Sequence, residues 1–404
     1  TWYSVFSTGS AYGLMIPIGT EMTQMEHRFV PTRFKDGYGP VGMWFQYFGA
    51  KITNSKGEDY TVTREAELHK YKPYGLVVPT PTPLRNHQMF LDIKDGLGPM
   101  YMGTDKAMQK IAGDDPEKMR KVKEEAWGDF LDMTISQALT WASQDIRPEV
   151  TPSEVVLAEP YIMGSHSGES GAWVSGPEDL APSDYFWGYN KMTTIKGLFA
   201  AGDGVGAAPH KFSSGSFTEG RLAAKAAVNF LNDNPEDSTL NDGQATSLRD
   251  KIWAPLERFE KYKGASTAEE VNPHYLTPYQ GLVRLQKIMD EYAGGTSAWY
   301  TTNKPTLERG IQLIELLRED LNKLAARDRH ELMRCWEVIH RTWVGESHMR
   351  HLLYREETRW PGYYYRSDFP DLDDSKWRVF VNSRFDSETN EWKLFTKPYI
   401  NLIE

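Results

Sequence analysis

The chain has 404 residues, with 46 lysines and arginines against 56 aspartates and glutamates and a net charge of −10 with histidine neutral. This length is enough for two to three domains. The acidic balance argues against a nucleic-acid role, and no run approaches the roughly 20 apolar residues of a membrane span. The single cysteine, Cys335, excludes a disulfide within the chain and an iron–sulfur cluster held only by its own thiolates, because such a cluster needs four.

The amino-terminal part separates into a mixed segment and a loop-rich segment. Residues 1–29 begin at Thr1 and show no signal-peptide pattern; within them, residues 14–25 predict a methionine-bearing helix. Residues 30–160 are rich in proline, glycine and lysine with short apolar runs, which predicts an α+β insertion with many loops. Within this insertion, Pro116 to Lys123 predicts a charged, solvated helix.

The strongest local pattern lies in residues 198–231. Leu198 to Ala201 predicts a short buried strand, followed by a glycine-rich turn, Gly202 to Gly206, and a helix from about Ser216 to Leu231. The free N–H groups and the dipole at a helix start suit a phosphate or an electron-rich ring edge. Taken alone, the pattern is explained equally well by an ordinary turn with a serine N-cap.

The carboxy-terminal half predicts a linker at 233–280, helices at 281–354, and strands at 377–383 and 391–396. Two apolar stripes in the helical region indicate the core of a helix bundle. They are Leu307, Ile311, Ile314, Leu317, Leu321 and Leu324, and then Leu332, Trp336, Ile339 and Trp343. His348 and His351 leave a metal pair open, although core or surface positions are more common for such histidines.

Four segments, in chain order, resemble the succinate dehydrogenase/fumarate reductase flavoprotein family. They are Thr8 to Ala11 with Glu26 to Thr32, Tyr161 to Gly164, Gly197 to Asp203, and Glu357 to Arg359 with Asp368 to Asp374 and Trp377. The resemblance implies a multidomain α+β and α/β fold with a partial FAD-binding Rossmann-like domain, an inserted capping domain and a C-terminal helical domain. The expected bounds are 1–29 and 161–250 for the two FAD-domain segments, 30–160 for the capping domain and 251–404 for the helical domain. The family opens with a nucleotide-binding Gly-x-Gly-x-x-Gly half that is not present here, so an N-terminally truncated fragment is expected.

Three longer stretches closely resemble the alpha subunits of dissimilatory adenylylsulfate (APS) reductases, over the whole chain. They are Arg28 to Gly42, Gly164 to Gly168 with Trp173 to Asp179, and Gly202 to Gly206 with His210 to Ser216. The resemblance implies a catalytic FAD-dependent oxidoreductase that interconverts adenosine 5′-phosphosulfate with AMP and sulfite in a two-electron reaction. In that family, N5 of reduced FAD attacks the sulfur, and a flavin–sulfite adduct then releases sulfite. Both sulfate reduction and sulfur oxidation are compatible with it.

The same resemblance implies a substrate pocket. Arg33 and His166 would be the catalytic residues that hold the sulfite oxygens against the flavin, since guanidinium groups match oxyanions. Trp2 and Arg85 would complete the substrate contacts. Gln46 would also belong to the pocket, at a position where the family has an apolar residue against the adenine.

A second group of residues would bind the cofactor. The resemblance implies that Asp203 contacts the ribityl side of FAD and that the segment Ser214, Gly215, Ser216 and Phe217 meets the pyrimidine edge of the flavin ring. The helix start there would stabilise the negative charge of the reduced ring. Glu169 and Ser170 depart from the family, which has a cysteine-containing stretch there; we interpret this departure as one of local packing.

The implied cofactor is non-covalent FAD, and no metal is expected in this chain. Reduction of APS needs two electrons, so the resemblance implies an iron–sulfur beta subunit with two [4Fe–4S] clusters as heterodimer partner, and through it a membrane electron-transfer complex. The substrates would be APS, AMP and sulfite, without nucleic acid. Few cysteines and many aromatic residues favour a cytoplasmic protein.

Two alternatives remain open at this point. The first is a fumarate- or succinate-type flavin oxidoreductase, which would share the fold but not the AMP and sulfite chemistry. The second is a non-catalytic relative that binds only nucleotide or a partner, which the presence of Arg33, His166 and the glycine-rich turn argues against. Activity with AMP and sulfite distinguishes the three.

Overall fold

The structure is a computed structural model, and it describes residues 8–37, 41–133, 135–160, 169–208, 213–236, 241–268, 270–359 and 361–401. The helices in these ranges are α1 (Ser10–Met15), α2 (Gly42–Gln46), α3 (Tyr60–Thr63), α4 (Glu65–Leu68), α5 (Thr82–Lys94), α6 (Thr104–Ala112), α7 (Pro116–Met133), α8 (Ile135–Ser143), α9 (Ser213–Asp233), α10 (Asp242–Tyr262), α11 (Pro278–Tyr292), α12 (Lys304–Leu321), α13 (Arg329–Tyr354) and α14 (Asp374–Trp377). The strands are β1 (Met22–Thr23), β2 (Thr32–Phe34), β3 (Ile52–Thr53), β4 (Met100–Met102), β5 (Ser153–Leu157), β6 (Gly171–Ala172), β7 (Thr301–Thr302), β8 (Tyr365–Arg366), β9 (Val379–Asp386) and β10 (Glu391–Pro398). The mixed helix and sheet content predicted from the sequence is confirmed.

The chain divides into two compact units. The smaller unit comprises the described residues within Phe29–Tyr161 and Trp360–Tyr363, and the larger unit those within Thr8–Arg28, Ile162–Arg359 and Tyr364–Glu404. None of the described helices combines the length and the apolar composition needed to cross a membrane.

The smaller unit is built on an antiparallel sheet with the strand order β2-β5-β4-β3. Its core is aromatic: Trp44 and Trp141 are fully buried, and both pack edge-on against Phe34 of β2, at ring-centroid distances of 6.4 and 5.2 Å. Burying such large side chains on one sheet face fixes the orientation of β2, and therefore the direction in which its alternate residue, Arg33, points.

The larger unit combines a sheet of order β10-β9-β1-β6 with a helix bundle of α11, α12 and α13. The apolar face of α12 is buried in the bundle, which confirms the first predicted stripe. Helix α1 crosses α13 at Gly13, where a Cβ atom would lie 2.3 Å from Cβ of His340. Only glycine allows this approach, which brings the amino-terminal helix onto the bundle.

Several further predictions are confirmed. A helix covers Pro116 to Lys123 as part of α7, and α9 covers the helix predicted after the glycine-rich turn. Residues 281–354 are largely helical, and β9 and β10 lie at the two predicted strands and form an antiparallel hairpin.

Three predicted elements are wrong. Residues 14–25 do not form one helix: α1 ends at Met15, ahead of Pro17 and of Gly19 at φ +82°, and Met22 already lies in β1. Residues 198–201 contribute only an isolated bridge, Met192 to Phe199, rather than a strand. The linker at 233–280 contains α10, whose internal Pro255 looks like a helix breaker in the sequence.

The second predicted stripe is displaced along α13. Trp336, Ile339 and Trp343 are only partly buried, whereas Cys335, Val338 and Thr342 are buried at 2 % exposure or less. The small residues lie inward because neighbouring helices approach closely, for example at Gly345, where a Cβ atom would be 2.9 Å from Sδ of Met289. Hydrophobicity alone does not predict that the buried face of α13 is the one with the smaller side chains.

Candidate active site

The glycine turn, residues 202–206, is bound to the helix that follows it. Gly202 begins a 3₁₀ turn at φ +61°, a left-handed conformation that favours glycine. Its N–H donates to Oε2 of Glu219 at 3.0 Å, and Oε1 of Glu219 pairs with Nζ of Lys191 at 2.7 Å. Glu219 lies in the second turn of α9, so one carboxylate fixes the turn against that helix.

The first turn of α9 contains the segment that the sequence assigns to the flavin ring. Ser214 is exposed, Gly215 and Ser216 are half-buried, and the ring of Phe217 is 81 % exposed. No acidic residue lies in this first turn, so no side chain of the turn itself opposes the positive end of the helix dipole. A helix start of this kind with an open aromatic ring fits the electron-rich edge of a flavin.

Tyr12 links helix α1 to the glycine turn. Its hydroxyl donates to the backbone carbonyl of Asp203 and lies 3.4 Å from the carbonyl of Ser170. Burial raises the pKa of Tyr12 above its usual range, and Asp203 adds to the effect, so the hydroxyl keeps its proton and remains a donor. The carboxyl group of Asp203 belongs to a half-buried residue beside this contact.

A second segment, residues 169–172, crosses the glycine turn at very short range. The N–H of Gly206 donates to the carbonyl of Ala172 at 3.0 Å, and the N–H of Ala207 donates to the carbonyl of Glu169 at 2.6 Å. A Cβ atom on Gly171 would lie 2.5 Å from the nitrogen of Gly206. Glycine at both positions is therefore what allows the two backbones to meet.

Glu169 presents a carboxyl group beside this crossing. Its Oε2 accepts a hydrogen bond from Nε2 of Gln24 at 2.6 Å and lies 3.6 Å from Nδ1 of His27. Burial raises the pKa of Glu169 to about 7 and lowers the pKa of His27 to about 4. At pH 7 His27 is neutral, so its approach to Glu169 is not an ion pair.

A buried ionic cluster holds the segment that carries Gln24 and His27. Glu26 is fully buried, with Oε1 2.7 Å from Nε of Arg355 and Oε2 3.1 Å from Nδ1 of His351. Burial acts to raise the pKa of Glu26, but Arg355 and His351 outweigh burial and hold that pKa well below its usual range. Arg355 also pairs with Glu357, at 2.9 Å. The cluster contains negative carboxylates, Glu26 and Glu357, and the positive guanidinium of Arg355. It ties the segment that carries Gln24 and His27 to the end of α13.

The histidines considered as a metal pair take part in this core. Nδ1 of His348 donates to the carbonyl of Met25 at 2.8 Å, and Nε2 of His351 lies 2.8 Å from Oγ of Ser383. Both rings are buried. In the described ranges, no three histidine, cysteine, aspartate or glutamate residues come together as metal ligands would.

The predicted arginines lie in the smaller unit. Arg33 is on β2 and is 8 % exposed. Arg85 is on α5, with its guanidinium carbon 5.1 Å from the ring centre of Phe45 and Nη2 3.0 Å from Oγ1 of Thr82. Asn86 connects the two elements, because its side chain accepts from Thr32 at 2.9 Å and donates to the carbonyl of Val30 at 2.7 Å.

Part of the predicted site lies outside the described residues. This applies to Trp2, to His166 and to the turn residues His210 and Lys211; for Gln46 the backbone lies in α2, but its side chain is outside the description. The structure thus places Asp203 in the glycine turn, which Glu219 ties to the helix that carries residues 214–217. Arg33 and Arg85 lie on the two elements of the smaller unit that Asn86 connects.

Sequence reasoning missed three residues of the site. Tyr12, Gln24 and Glu219 act through tertiary contacts between positions 17 to 191 residues apart, and no local pattern reports such contacts.

The chain is similar to a known family model in its carboxy-terminal part and to a known protein over its full length. Residues 283–401 match the family model described as the fumarate reductase flavoprotein C-terminal domain. The full chain is 48 % identical to the adenylylsulfate reductase subunit alpha of Megalodesulfovibrio gigas, covering 62 % of that protein. The chain thus spans less than two thirds of the length of this relative.

Solved structures give the same relationship. A structure of adenylylsulfate reductase from Archaeoglobus fulgidus and one of adenosine-5-phosphosulfate reductase in complex with sulfite, described as a covalent adduct, each match at 58 % identity and a TM-score of 0.97, over all of this chain and 64 % of theirs. The flavoprotein FrdA of E. coli quinol fumarate reductase matches at 16 % identity and a TM-score of 0.67, over 98 % of this chain and 62 % of its own. The latter similarity shows the fold alone.

Proposed function

We propose that the chain is part of the catalytic subunit of an adenylylsulfate reductase, a flavoprotein that interconverts adenosine 5′-phosphosulfate with AMP and sulfite. The observation that carries the proposal is the identity of 48 % and 58 % to such proteins over the whole chain. At 16 % identity, the fumarate reductase match supports a shared fold and carries no argument about the chemistry.

The larger unit would hold the cofactor, FAD bound non-covalently. Asp203 would contact the ribityl chain, and the N–H groups of the segment Ser214 to Phe217 would face the pyrimidine edge of the ring. Bound FAD would supply the two-electron chemistry. The chain itself contributes a turn that Glu219 and Tyr12 hold in place and a helix start without an acidic residue in its first turn, which favours the negative charge of a reduced ring.

Residues of the smaller unit, Arg33 and Arg85 among them, would contribute to binding the anionic substrate. Arg33, together with His166, would bind the sulfite oxygens, while Arg85, Gln46 and Trp2 would contact the nucleotide. A buried guanidinium such as that of Arg33 binds an oxyanion more strongly than an exposed one, because water does not compete for its N–H groups. Arg85 is held against Phe45 and Thr82, which restricts its rotamers before substrate arrives.

Electrons would come from another polypeptide. Cys335 is the only cysteine and is buried, so this chain cannot bind a [4Fe–4S] cluster through thiolates alone. We therefore propose an iron–sulfur beta subunit as partner in a cytoplasmic heterodimer, which exchanges electrons indirectly with a membrane complex.

The test is a comparison of substrates on the flavin-loaded enzyme with its partner. We expect reduction of ferricyanide that requires both AMP and sulfite, and no reduction of fumarate. Turnover of fumarate without AMP-dependent sulfite oxidation would establish the alternative, a fumarate-type oxidoreductase. Intact flavin binding without either activity would establish the non-catalytic relative.

A further inference from the structure

One buried asparagine binds the strand segment that leads into Arg33. Asn86 is on α5, and only 5 % of its surface is exposed. Its Oδ1 accepts from Oγ1 of Thr32 on β2 at 2.9 Å, and its Nδ2 donates to the carbonyl of Val30 at 2.7 Å. Both functions of the amide are therefore bound to residues 30–32. Away from water such bonds are electrostatically stronger, so the amide holds the segment in one position.

The place of this contact in the chain relates it to two predicted site residues. Thr32 directly precedes Arg33 in β2, and Asn86 directly follows Arg85 in α5. Each arginine is thus one residue, or about 3.8 Å between Cα atoms, from a member of the Thr32–Asn86 pair. The separation of the two backbone positions that carry the guanidinium groups is therefore set at this pair.

Further contacts restrict both elements around the pair. Strand β2 is paired with β5 through residues 32–34, and Oγ1 of Thr32 also lies 3.8 Å from Sδ of Met89, one turn further along α5. The first turn of α5 is approached by Gly362, where a Cβ atom would collide with the carbonyl oxygen of Pro83. Strand and helix are each held by other neighbours, and the Thr32–Asn86 pair fixes them to one another.

The two arginines leave the pair on different sides. Successive side chains of a strand point to opposite faces, so Arg33 points away from the face on which Thr32 meets α5. The guanidinium of Arg85 lies against the ring of Phe45 and donates to Thr82. Two cations at a fixed separation suit one molecule with two anionic groups, because the rigid spacing removes the cost of ordering both cations at the moment of binding.

We propose that Asn86 is a positioning residue that sets the spacing of Arg33 and Arg85 and thereby couples the binding of the two anionic ends of one substrate. The inference rests on the function proposed above, in which Arg33 would bind the sulfite end and Arg85 the nucleotide end. A substrate that joins both ends binds the second cation as an intramolecular event. When the spacing is relaxed, each separate end still binds, but the joined molecule loses this gain.

The first test compares separate and joined ligands on the flavin-loaded enzyme with its partner. Calorimetry measures the binding of AMP, flavin absorbance measures the binding of sulfite, and steady-state kinetics give kcat/KM for adenosine 5′-phosphosulfate. In Asn86→Ala, we expect the two separate affinities to stay within about twofold of wild type and kcat/KM to fall by about 100-fold, the effect of a misplacement of about 1 Å. An equal loss for separate and joined ligands would overturn the proposal.

A second variant keeps the test decisive if Asn86→Ala does not fold. Thr32→Val nearly preserves the shape of the side chain and removes the hydroxyl that donates to Asn86, so it should lower kcat/KM while the separate affinities are kept. Thr32→Ser keeps the hydroxyl and should restore kcat/KM.

The matched control is Thr104→Val, which removes a buried hydroxyl of the same unit that donates to the carbonyl of Thr151 at 3.2 Å. We expect this variant to lose stability without any change in the ratio between joined and separate ligands. The same change of ratio in Thr104→Val as in Thr32→Val would show a general loosening of the unit and would overturn the assignment of Asn86.

The two levels of the account fail in different ways. A wild-type enzyme that binds flavin but shows no turnover with AMP and sulfite would overturn the proposed function, and this inference with it. Wild-type turnover, together with unchanged kcat/KM in Asn86→Ala and Thr32→Val, would keep the proposed function and reject Asn86 as the positioning residue.

Discussion

Single side chains that bind backbone atoms determine the shape of the candidate site. The side chains of Glu219 and Tyr12 reach the glycine turn at the N–H of Gly202 and the carbonyl of Asp203, and the backbone carbonyl of Glu169 accepts from the N–H of Ala207. A backbone group that loses such a partner while buried costs about 1–3 kcal/mol. The turn is therefore sensitive to residues that would not themselves touch a cofactor.

Removal of the Glu219 carboxylate tests this sensitivity. In Glu219→Ala, the N–H of Gly202 and the ammonium of Lys191 lose their shared partner, so we expect the free energy of unfolding to fall by about 1–3 kcal/mol and flavin affinity to fall with it. Chemical denaturation and flavin titration measure the two effects. The matched control is Glu257→Ala on α10, an exposed glutamate; equal losses in the two variants would argue against a specific role for Glu219.

Buried neutral histidines predict how stability depends on pH. Burial lowers the pKa of His27 to about 4 and that of His348 to about 3, from 6.5. Between about pH 6.5 and these values, the unfolded chain binds protons that the folded chain does not, so stability is complete above pH 6.5 and is lost as the pH falls. Urea unfolding at a series of pH values should show this decline.

The variant His348→Asn identifies the contribution of one ring. We expect His348→Asn to reduce the slope of the free energy of unfolding against pH by up to the slope that about one bound proton produces. The variant His330→Asn, at an exposed position, should leave this slope unchanged. A wild-type stability that is constant from pH 7 to pH 5 would show that these histidines are already accessible to protons.

At the scale of elements, close backbone approach positions the site. Segment 169–172 meets the glycine turn without intervening side chains, and α1 reaches α13 through Gly13. A residue pattern can identify the helix after a glycine turn, but it cannot identify which distant glycine the turn will meet.

A pair of glycine substitutions tests this point. Gly171→Ala would place a Cβ atom 2.5 Å from the nitrogen of Gly206, and we expect a loss of about 1–3 kcal/mol from the forced displacement. Gly220→Ala, in α9, meets nothing within 4 Å and should stabilise the helix by about 0.5–1 kcal/mol. Thermal unfolding of both variants measures the difference; a neutral Gly171→Ala would show that the crossing is looser than described.

The sequence predicted those elements whose local pattern is strong. The regular spacing of Leu307 to Leu324 predicted the helix α12, and the two strands predicted at 377–383 and 391–396 correspond to β9 and β10. It failed for residues 14–25, where Pro17 and Gly19 outweigh the apolar run, and for α10, where Pro255 suggests a break. In the candidate site, the family resemblance predicted the segment from Ser214 to Phe217, which stays a prediction. Tertiary partners such as Glu219 and Gln24 depend on the fold, and no local pattern reports them.

At the scale of the whole molecule, the chain would provide flavin and substrate contacts but no route for electrons through thiolates. Burial raises the pKa of the Cys335 thiol to about 12, so it remains protonated and is a poor metal ligand. Its Sγ lies 3.6 Å from the carbonyl of Ala325 in the helical core.

If the proposed iron–sulfur partner is right, Cys335→Ser leaves the iron content of the proposed complex unchanged, and electron transfer from the proposed partner to the flavin keeps its rate. The expected change is a modest loss of stability from a polar hydroxyl in a buried position. Iron analysis and stopped-flow reduction of the flavin check both statements. A loss of iron in Cys335→Ser would mean that this chain contributes a ligand to a cluster.

The most direct measurement of the central claim is AMP- and sulfite-dependent ferricyanide reduction by the flavin-loaded enzyme, comparing wild type with Arg33→Ala and with Arg249→Ala, an exposed arginine. The account predicts activity in the wild type and in Arg249→Ala, and a loss of about 100-fold or more in Arg33→Ala, because a buried guanidinium on a reacting oxyanion acts in the transition state. Full activity of Arg33→Ala, or a wild type with bound flavin that does not oxidise sulfite in the presence of AMP, would contradict it.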